Sequence, residues 1–307
     1  MNTSNTASRA FKKSCWHEME FRLQYGGPFH WESLLDYFKS HEIGGTEKVS
    51  ANSYERVFEI DGVLGFLRLT PHLTDSALVL KLWVQNESVA PLVVERIRKM
   101  FDLDLDHNAM FLILKAHRIF DDTIQAYPAL RVAKGWDPFE IVVLTILGQV
   151  VSVKRAKDLL HNLVVTHGVA VQHPVSHETF YLFPTPKQLS NADLGHLGTT
   201  QARKQALKLI SKLVIENSID FANDEIEILK EKLLAVPGVG KWSVEYIALR
   251  GVGHPDSFPE TDLALKRVMD YYPEFNIEIV KPWRSYAAVY LWKDYMMQPE
   301  KYRKRKP

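Results

Sequence analysis

Ten residues in the last third of the chain, Leu233-Leu234-Ala235-Val236-Pro237-Gly238-Val239-Gly240-Lys241-Trp242, end one apolar stretch and begin another across a two-glycine turn. A carboxylate, Asp262, follows about twenty residues later. These types and spacings suit two pieces of chemistry. Glycines just after a proline make a tight turn, supplying positive φ and letting another group approach the backbone. A helix then opens at Lys241, with Val244, Ile247 and Ala248 as its apolar face. Its first N–H groups lack intrahelical acceptors and can take a phosphate oxygen, a contact that reads position rather than sequence. The second piece is Asp262, at the start of a further helix whose apolar residues are Leu263, Leu265 and Val268. There the helix dipole favours an anion. Position alone fits an ordinary N-cap as well as a catalytic carboxylate, since Asp is among the best caps. The hairpin, too, fits a plain helix–turn–helix corner as well as a phosphate grip.

The elements that must position these groups fall into two regions. Residues 18–110 read as mixed α and β: a short helix over 29–38, a weakly alternating strand over 54–60, an Asp61-Gly62 turn and a strand over 63–70. Leu78, Leu80, Leu82 and Val84 then alternate cleanly. A helix over 90–101 tolerates Pro91 in its first turn. Residues 111–299 read as helical almost throughout, with one apolar helix over 141–153, a less regular stretch over 167–186, and a helix-hairpin-helix at about 226–250. Residues 1–17 read as a disordered leader and 300–307 as a frayed basic tail. The histidines at 161, 167, 173 and 177 do not make a metal site: only His173 and His177 share helical spacing, and Pro174 disfavours a helix between them.

The chain has 307 residues and a formal net charge of +1. Global basicity therefore gives no reason to expect a nucleic-acid partner, and any binding face must come from local clustering. Lys241, Arg250, Lys266, Arg267 and Arg284 cluster in sequence around the hairpin and Asp262, while Asp102, Asp104 and Asp106 fall elsewhere. No run of about eighteen uncharged apolar residues reads as a membrane span. The polar leader has no apolar core of the secretory kind. A single cysteine, Cys15, rules out an intrachain disulfide and suits a reducing compartment.

Taken together, the apolar helix, the Pro-Gly-Val-Gly hairpin, the Phe258-Pro259 loop and Asp262 resemble the helix-hairpin-helix superfamily of DNA glycosylases. Within it the chain resembles the alkylation-repair branch, DNA-3-methyladenine glycosylase II, from about residue 18 to 295. The segments that carry this are Gly135-Trp136-Asp137-Pro138-Phe139-Glu140, Ile146-Leu147-Gly148-Gln149-Val150-Val151-Ser152, Phe183-Pro184-Thr185-Pro186, Leu197-Gly198 and Pro282-Trp283-Arg284-Ser285-Tyr286-Ala287. The resemblance implies an α+β protein: a mostly helical helix-hairpin-helix glycosylase fold, of two helical subdomains, behind an N-terminal TATA-binding-protein-like mixed domain. One cysteine excludes the four-cysteine iron–sulfur cluster of several relatives.

The resemblance also implies an activity: flipping alkylated purines out of double-stranded DNA and hydrolysing the N-glycosidic bond, by a monomer needing no cofactor, in the nucleoid or nucleus. Asp262 is then the catalytic residue, facing positive charge on the sugar. Trp242 and Tyr246, four apart on one helix face, line the base pocket with Trp292 and Tyr37. Pro237, Gly238, Val239, Gly240 and Lys241 hold DNA, and Gln149 and Val150 occupy the wedge position, although Val150 is small for a wedge. Carbonyls of Leu234, Val236 and Val239 correspond to a site for Na+ or K+. Bifunctional relatives carry a lysine where this chain has Trp242. Lys241 comes one residue too early, about 100° round the helix, so a Schiff base lacks its amine. Two other readings stay open: a non-catalytic binder of damaged DNA, and an oxidised-purine glycosylase/lyase.

Overall fold

The computed structural model describes residues 15–302. Most of the expected leader, residues 1–14, and of the expected tail, residues 303–307, lie outside the described residues. The chain is α+β. In order it runs β1 His17–Gln24, α1 Trp31–Ser40, β2 Glu47–Val49, β3 Tyr54–Ile60, β4 Val63–Pro71, β5 Ala77–Val84, α2 Ala90–Met100, α3 His107–Leu114, α4 Asp121–Ala126, α5 Pro138–Gly148 and α6 Val153–His167. It continues with β6 Val169–Gln172, β7 Thr179–Leu182, α7 Pro186–Asn191, α8 Gln201–Ile215, α9 Ile226–Leu234, α10 Lys241–Ile247, α11 Leu263–Tyr271 and α12 Arg284–Met297.

The first five strands form one antiparallel sheet in the order β1-β5-β4-β3-β2. Leu78, Leu80, Leu82 and Val84 put one face of β5 into a core closed by α1 and α2. β1 was not expected. It is an edge strand, paired through Phe21 opposite Leu80, and most of its side chains stay exposed. An edge strand with little burial carries little alternation. It also corrects the leader, because His17 already begins β1.

Two more helical expectations need correcting. The apolar run 141–153 is two helices: α5 stops at Gly148, and Ser152 caps α6 by accepting from the Arg155 amide. The irregular stretch 167–186 contains the hairpin β6–β7, whose Val171, Phe180 and Leu182 are buried with Val57, Leu64 and Phe66 of the sheet. The start of the tail is also anchored. Lys301 Nζ donates to Asp122 Oδ2 at 2.9 Å, and Tyr302 is buried beside Tyr271 and Tyr295.

Two buried ion clusters tie the sheet to the helices. Arg56 on β3 donates to Glu47 Oε1 at 2.8 Å and to Glu140 Oε1, in the first turn of α5, at 2.7 Å. Burial pushes Glu140 up to about 7, against the pull of Arg56. Asp102, which the sequence set apart from the site, accepts from Lys134 Nζ at 2.8 Å and from Tyr286 on α12 at 3.0 Å. The helices build two further cores, one around α5–α10 and one around α3, α4, α11 and α12.

Candidate active site

The three cores meet at a cavity of about 570 Å³. Tyr37 reaches it from the edge of the sheet core, and Trp292 from the edge of the α11–α12 core. α10 lies between them. Val244 and Ile247 belong to the α5–α10 core, which turns Trp242 and Tyr246 towards the cavity.

α9 closes at Leu234, Pro237-Gly238 turns the chain, and α10 opens at Lys241. The two glycines differ. Gly238 has φ +90 and needs to be glycine. Gly240, with φ −99, is not held to glycine by its backbone, and a Cβ there would meet nothing of the protein within 4 Å. A side chain at 240 would therefore project into open space. Lys241 is exposed and does not line the cavity.

α10 ends in a π-helical turn, Ala248–Val252, closed by Gly253 at φ +79. π turns re-aim side chains where an α-helix would not. This one carries Arg250, which sequence reasoning placed among surface cations. Instead it is 5% exposed and lines the cavity. Its guanidinium donates to Ala133 O at 2.8 Å and lies 4.1 Å from the Tyr37 ring centroid and 5.5 Å from that of Trp292.

The loop that carries Asp262 is anchored on both sides. Phe258 N donates to Glu245 Oε2 on α10 at 3.1 Å, and Ser257 N donates to Ser285 Oγ on α12 at 3.0 Å. Asp256 takes a two-pronged grip from Arg284, with Nε at 2.9 Å and Nη2 at 2.8 Å, so this member of the basic cluster is engaged within the protein. Arg267 donates to Tyr295 Oη and is likewise engaged.

Asp262 is an N-cap and more. Oδ1 accepts from Ala264 N at 2.9 Å, Leu265 N at 3.1 Å and Trp292 Nε1 at 3.0 Å, while Oδ2 accepts from Trp242 Nε1 at 2.9 Å. Both oxygens face only donors, the complement of a carboxylate anion. Two indoles from different helices thus hold one carboxylate at the cavity wall. Trp242 stacks on Tyr246 with centroids 4.9 Å apart, and Tyr246 meets Trp292 edge-on at 6.2 Å. The Tyr37 and Tyr246 hydroxyls are 3.3 Å apart, closing the ring across the boundary between sheet and helices.

His41 completes that wall. It stacks on Tyr37 at 4.3 Å, and its Nδ1 lies 3.0 Å from Tyr37 O. A carbonyl only accepts, so Nδ1 carries the proton and Nε2 is the bare nitrogen. Burial pushes this imidazole down to about 4, and it is neutral near pH 7. Sequence reasoning did not name His41 and counted Arg250 only among the basic residues around the hairpin, yet each lies four residues after a named pocket aromatic, Tyr37 and Tyr246.

Gln149 and Val150 lie in the break between α5 and α6. Gln149 Nε2 donates to Gly238 O at 2.9 Å and Ser243 Oγ at 3.1 Å, tying the break to the hairpin. Val150 is 98% exposed and has φ +52. It therefore lies outside every core, and a β-branched residue in the left-handed region is strained.

Val236 O accepts from Val239 N at 3.0 Å, leaving a lone pair, and Leu234 ends α9. Neutral carbonyl oxygens at a helix C-terminus are chemically fit for a hard monovalent cation. Among the described residues no three His, Cys, Asp or Glu gather to hold a metal.

Comparison with known proteins adds to this geometry. Residues 20–137 match the AlkA N-terminal domain family. Over 283 residues the chain is 30% identical to the probable bifunctional transcriptional activator/DNA repair enzyme AlkA of Mycobacterium tuberculosis, covering 89% of this chain and 56% of that protein. It therefore spans little more than half the length of that relative. It is 27% identical over 288 residues to DNA-3-methyladenine glycosylase 2 of Escherichia coli, covering 91% of this chain and 99% of that one. Among solved structures, the 3-methyladenine DNA-glycosylase from Archaeoglobus fulgidus shares the fold, with a TM-score of 0.77 at 19% identity over 90% of this chain and 98% of its own.

Proposed function

Starting from a chain that carries the AlkA N-terminal domain and is related across about nine-tenths of its length to DNA-3-methyladenine glycosylases, we propose that it is a monofunctional DNA glycosylase. It hydrolyses the N-glycosidic bond of alkylated purines, of the 3-methyladenine and 7-methylguanine type, in double-stranded DNA. The observation that carries this reading is the Asp262 carboxylate, held by the Trp242 and Trp292 N–H groups in a cavity lined with aromatics.

The target nucleotide lies inside a duplex and must be flipped out, which costs a few kcal/mol. The flipped base stacks on Trp242 and Tyr246, with Trp292 and Tyr37 closing the pocket. Positive charge grows on the sugar as the bond breaks, and Asp262 is fixed to face it, so no reorganisation is needed at that moment. Both flanking indoles donate to the carboxylate, which fixes its direction. Val150, held out at the α5–α6 break, fills the space left by the flipped nucleotide. Pro237, Gly238, Val239, Gly240 and Lys241 meet the backbone of the DNA, and the absence of a Cβ at Gly240 lets a phosphate approach the first amides of α10. The carbonyls of Leu234, Val236 and Val239 would hold a monovalent cation, which would add positive charge for a DNA phosphate at the hairpin. A lyase reading has little support, because Trp242 occupies the position of the nucleophilic lysine and Lys241 does not line the cavity. The reading places the protein where DNA is, in the nucleoid or nucleus.

The test is release of free base from duplexes bearing alkylated, deaminated or oxidised purines, with strand nicking scored separately. Wild type releases alkylated bases without nicking and without a borohydride-trapped adduct. Asp262→Asn still binds abasic DNA but loses release by at least a hundredfold, on the order of a few kcal/mol of electrostatic stabilisation. Near-wild-type release by Asp262→Asn refutes the assignment.

A further inference from the structure

Arg250 breaks the ordinary rules of burial. It is 5% exposed, yet it forms no ion pair among the described residues; one carbonyl accepts from Nη1, two aromatic faces flank it, and its buried Nε has no hydrogen-bond partner. Buried arginines are almost always paired with carboxylates, because an uncompensated charge is costly to desolvate. A carboxylate is available on the same cavity wall. Asp262 shares Trp292 with Arg250: the indole N–H meets Asp262 and the ring face meets Arg250. Among the described residues no ion pair joins the two side chains. The cavity therefore presents an anion and a cation as separate features.

Heterolysis of a neutral nucleoside calls for that pattern. When the C1′–N bond breaks, its electron pair leaves with the base and the sugar becomes cationic. A base that was already cationic, as in an N3- or N7-alkylated purine nucleotide, departs neutral. A base that was neutral departs as an anion and takes a proton from solvent. Water adds its oxygen to C1′ and releases its proton to solvent, so the balance closes without any further reactant. Arginine stays protonated throughout. It stabilises negative charge on the departing base and, with the π faces of Tyr37 and Trp292 already facing it, offers nothing to a positive one.

We propose that Arg250 is a specificity-determining residue that favours release of neutral bases, such as hypoxanthine or 1,N6-ethenoadenine, over cationic alkylpurines. The proposal rests on the glycosylase reading, and the experiment separates the two. Single-turnover base release is measured on duplexes carrying hypoxanthine, 1,N6-ethenoadenine, 7-methylguanine or 3-methyladenine, for wild type, Arg250→Met and Arg250→Lys. The expected result is that Arg250→Met lowers the ratio of neutral to cationic release at least tenfold, and that Arg250→Lys, which keeps the charge, holds the ratio within about threefold of wild type. Parallel losses on both classes overturn the proposal, because a merely structural arginine lowers both alike. Wild type that releases only cationic bases overturns it without any variant, which covers the case in which Arg250→Met does not fold. Wild type that releases neither class overturns the glycosylase reading instead.

Discussion

At the scale of single residues, the site depends on who donates to whom. Trp242 was expected as a stacking surface, and the structure gives it a second task as donor to Asp262 Oδ2. The two tasks can be separated. Trp242→Phe keeps a ring against Tyr246 and removes the N–H. A hydrogen bond to a charged group contributes about 1.5–3 kcal/mol, so single-turnover release should fall ten- to a hundredfold while affinity for abasic DNA stays within about twofold. Release equal to wild type would show that Trp292 and the two α11 amides suffice to aim the carboxylate. His41 carries a pH signature. Its folded value, about 4, lies below its ordinary 6.5, so the unfolded chain binds the extra proton first. Its contribution is therefore complete above pH 6.5 and is lost as pH falls towards 4. The linked amount is on the order of 3 kcal/mol. Urea denaturation of wild type and His41→Gln between pH 4 and 7.5 should show a shallower acid-side loss in the variant; superimposable profiles would place His41 in contact with water.

Elements place these residues, and they were legible to different degrees. α11 starts where it was expected, after Asp262, because Leu265 and Val268 keep helical period and Asp262 caps it. β5 was equally plain. β1 was not, because an exposed edge strand carries little alternation, and the β6–β7 hairpin was not, because what buries it lies far away in the chain: Phe180 packs with Phe66, more than a hundred residues earlier. Local pattern cannot report a remote partner. The break in the 141–153 run was hidden because residues 141–147 are apolar apart from Thr145, so no periodicity marks where α5 ends. Among site residues, spacing put Trp242 and Tyr246 on one helix face, and the family resemblance supplied Tyr37, Trp292 and the role expected of Asp262, whereas Arg250 and His41 needed the packing around them. The break carries its own prediction. Val150 is exposed and holds a left-handed backbone, so Val150→Gly relieves about 1 kcal/mol of strain. The variant should melt a few degrees higher and release base more slowly from duplex DNA. A lower melting temperature would mean that the side chain has a packing role.

At the scale of the whole molecule, sheet and helices are coupled by buried charge as well as by apolar contact. Arg56 joins β2 and β3 to α5, and Asp102 joins the end of α2 to α12. Removing one partner of such a cluster costs about 3–5 kcal/mol. The chain should therefore unfold in one cooperative calorimetric transition, and Glu140→Ala should lower its temperature without splitting it. Two resolved transitions in wild type would mean that the sheet and the helices are independent.

Tyr37 and Tyr246 touch across this junction although more than two hundred residues separate them. That contact bears on how such a protein can be inherited. A recombination breakpoint anywhere between residues 41 and 242 would pair one parent's Tyr37 and His41 with the other's Trp242, Tyr246 and Arg250. The floor of the pocket would then be assembled from side chains never selected together. The N-terminal sheet is thus no detachable accessory to be shuffled among helical partners; where the pocket matters, the two halves of the gene must descend as one.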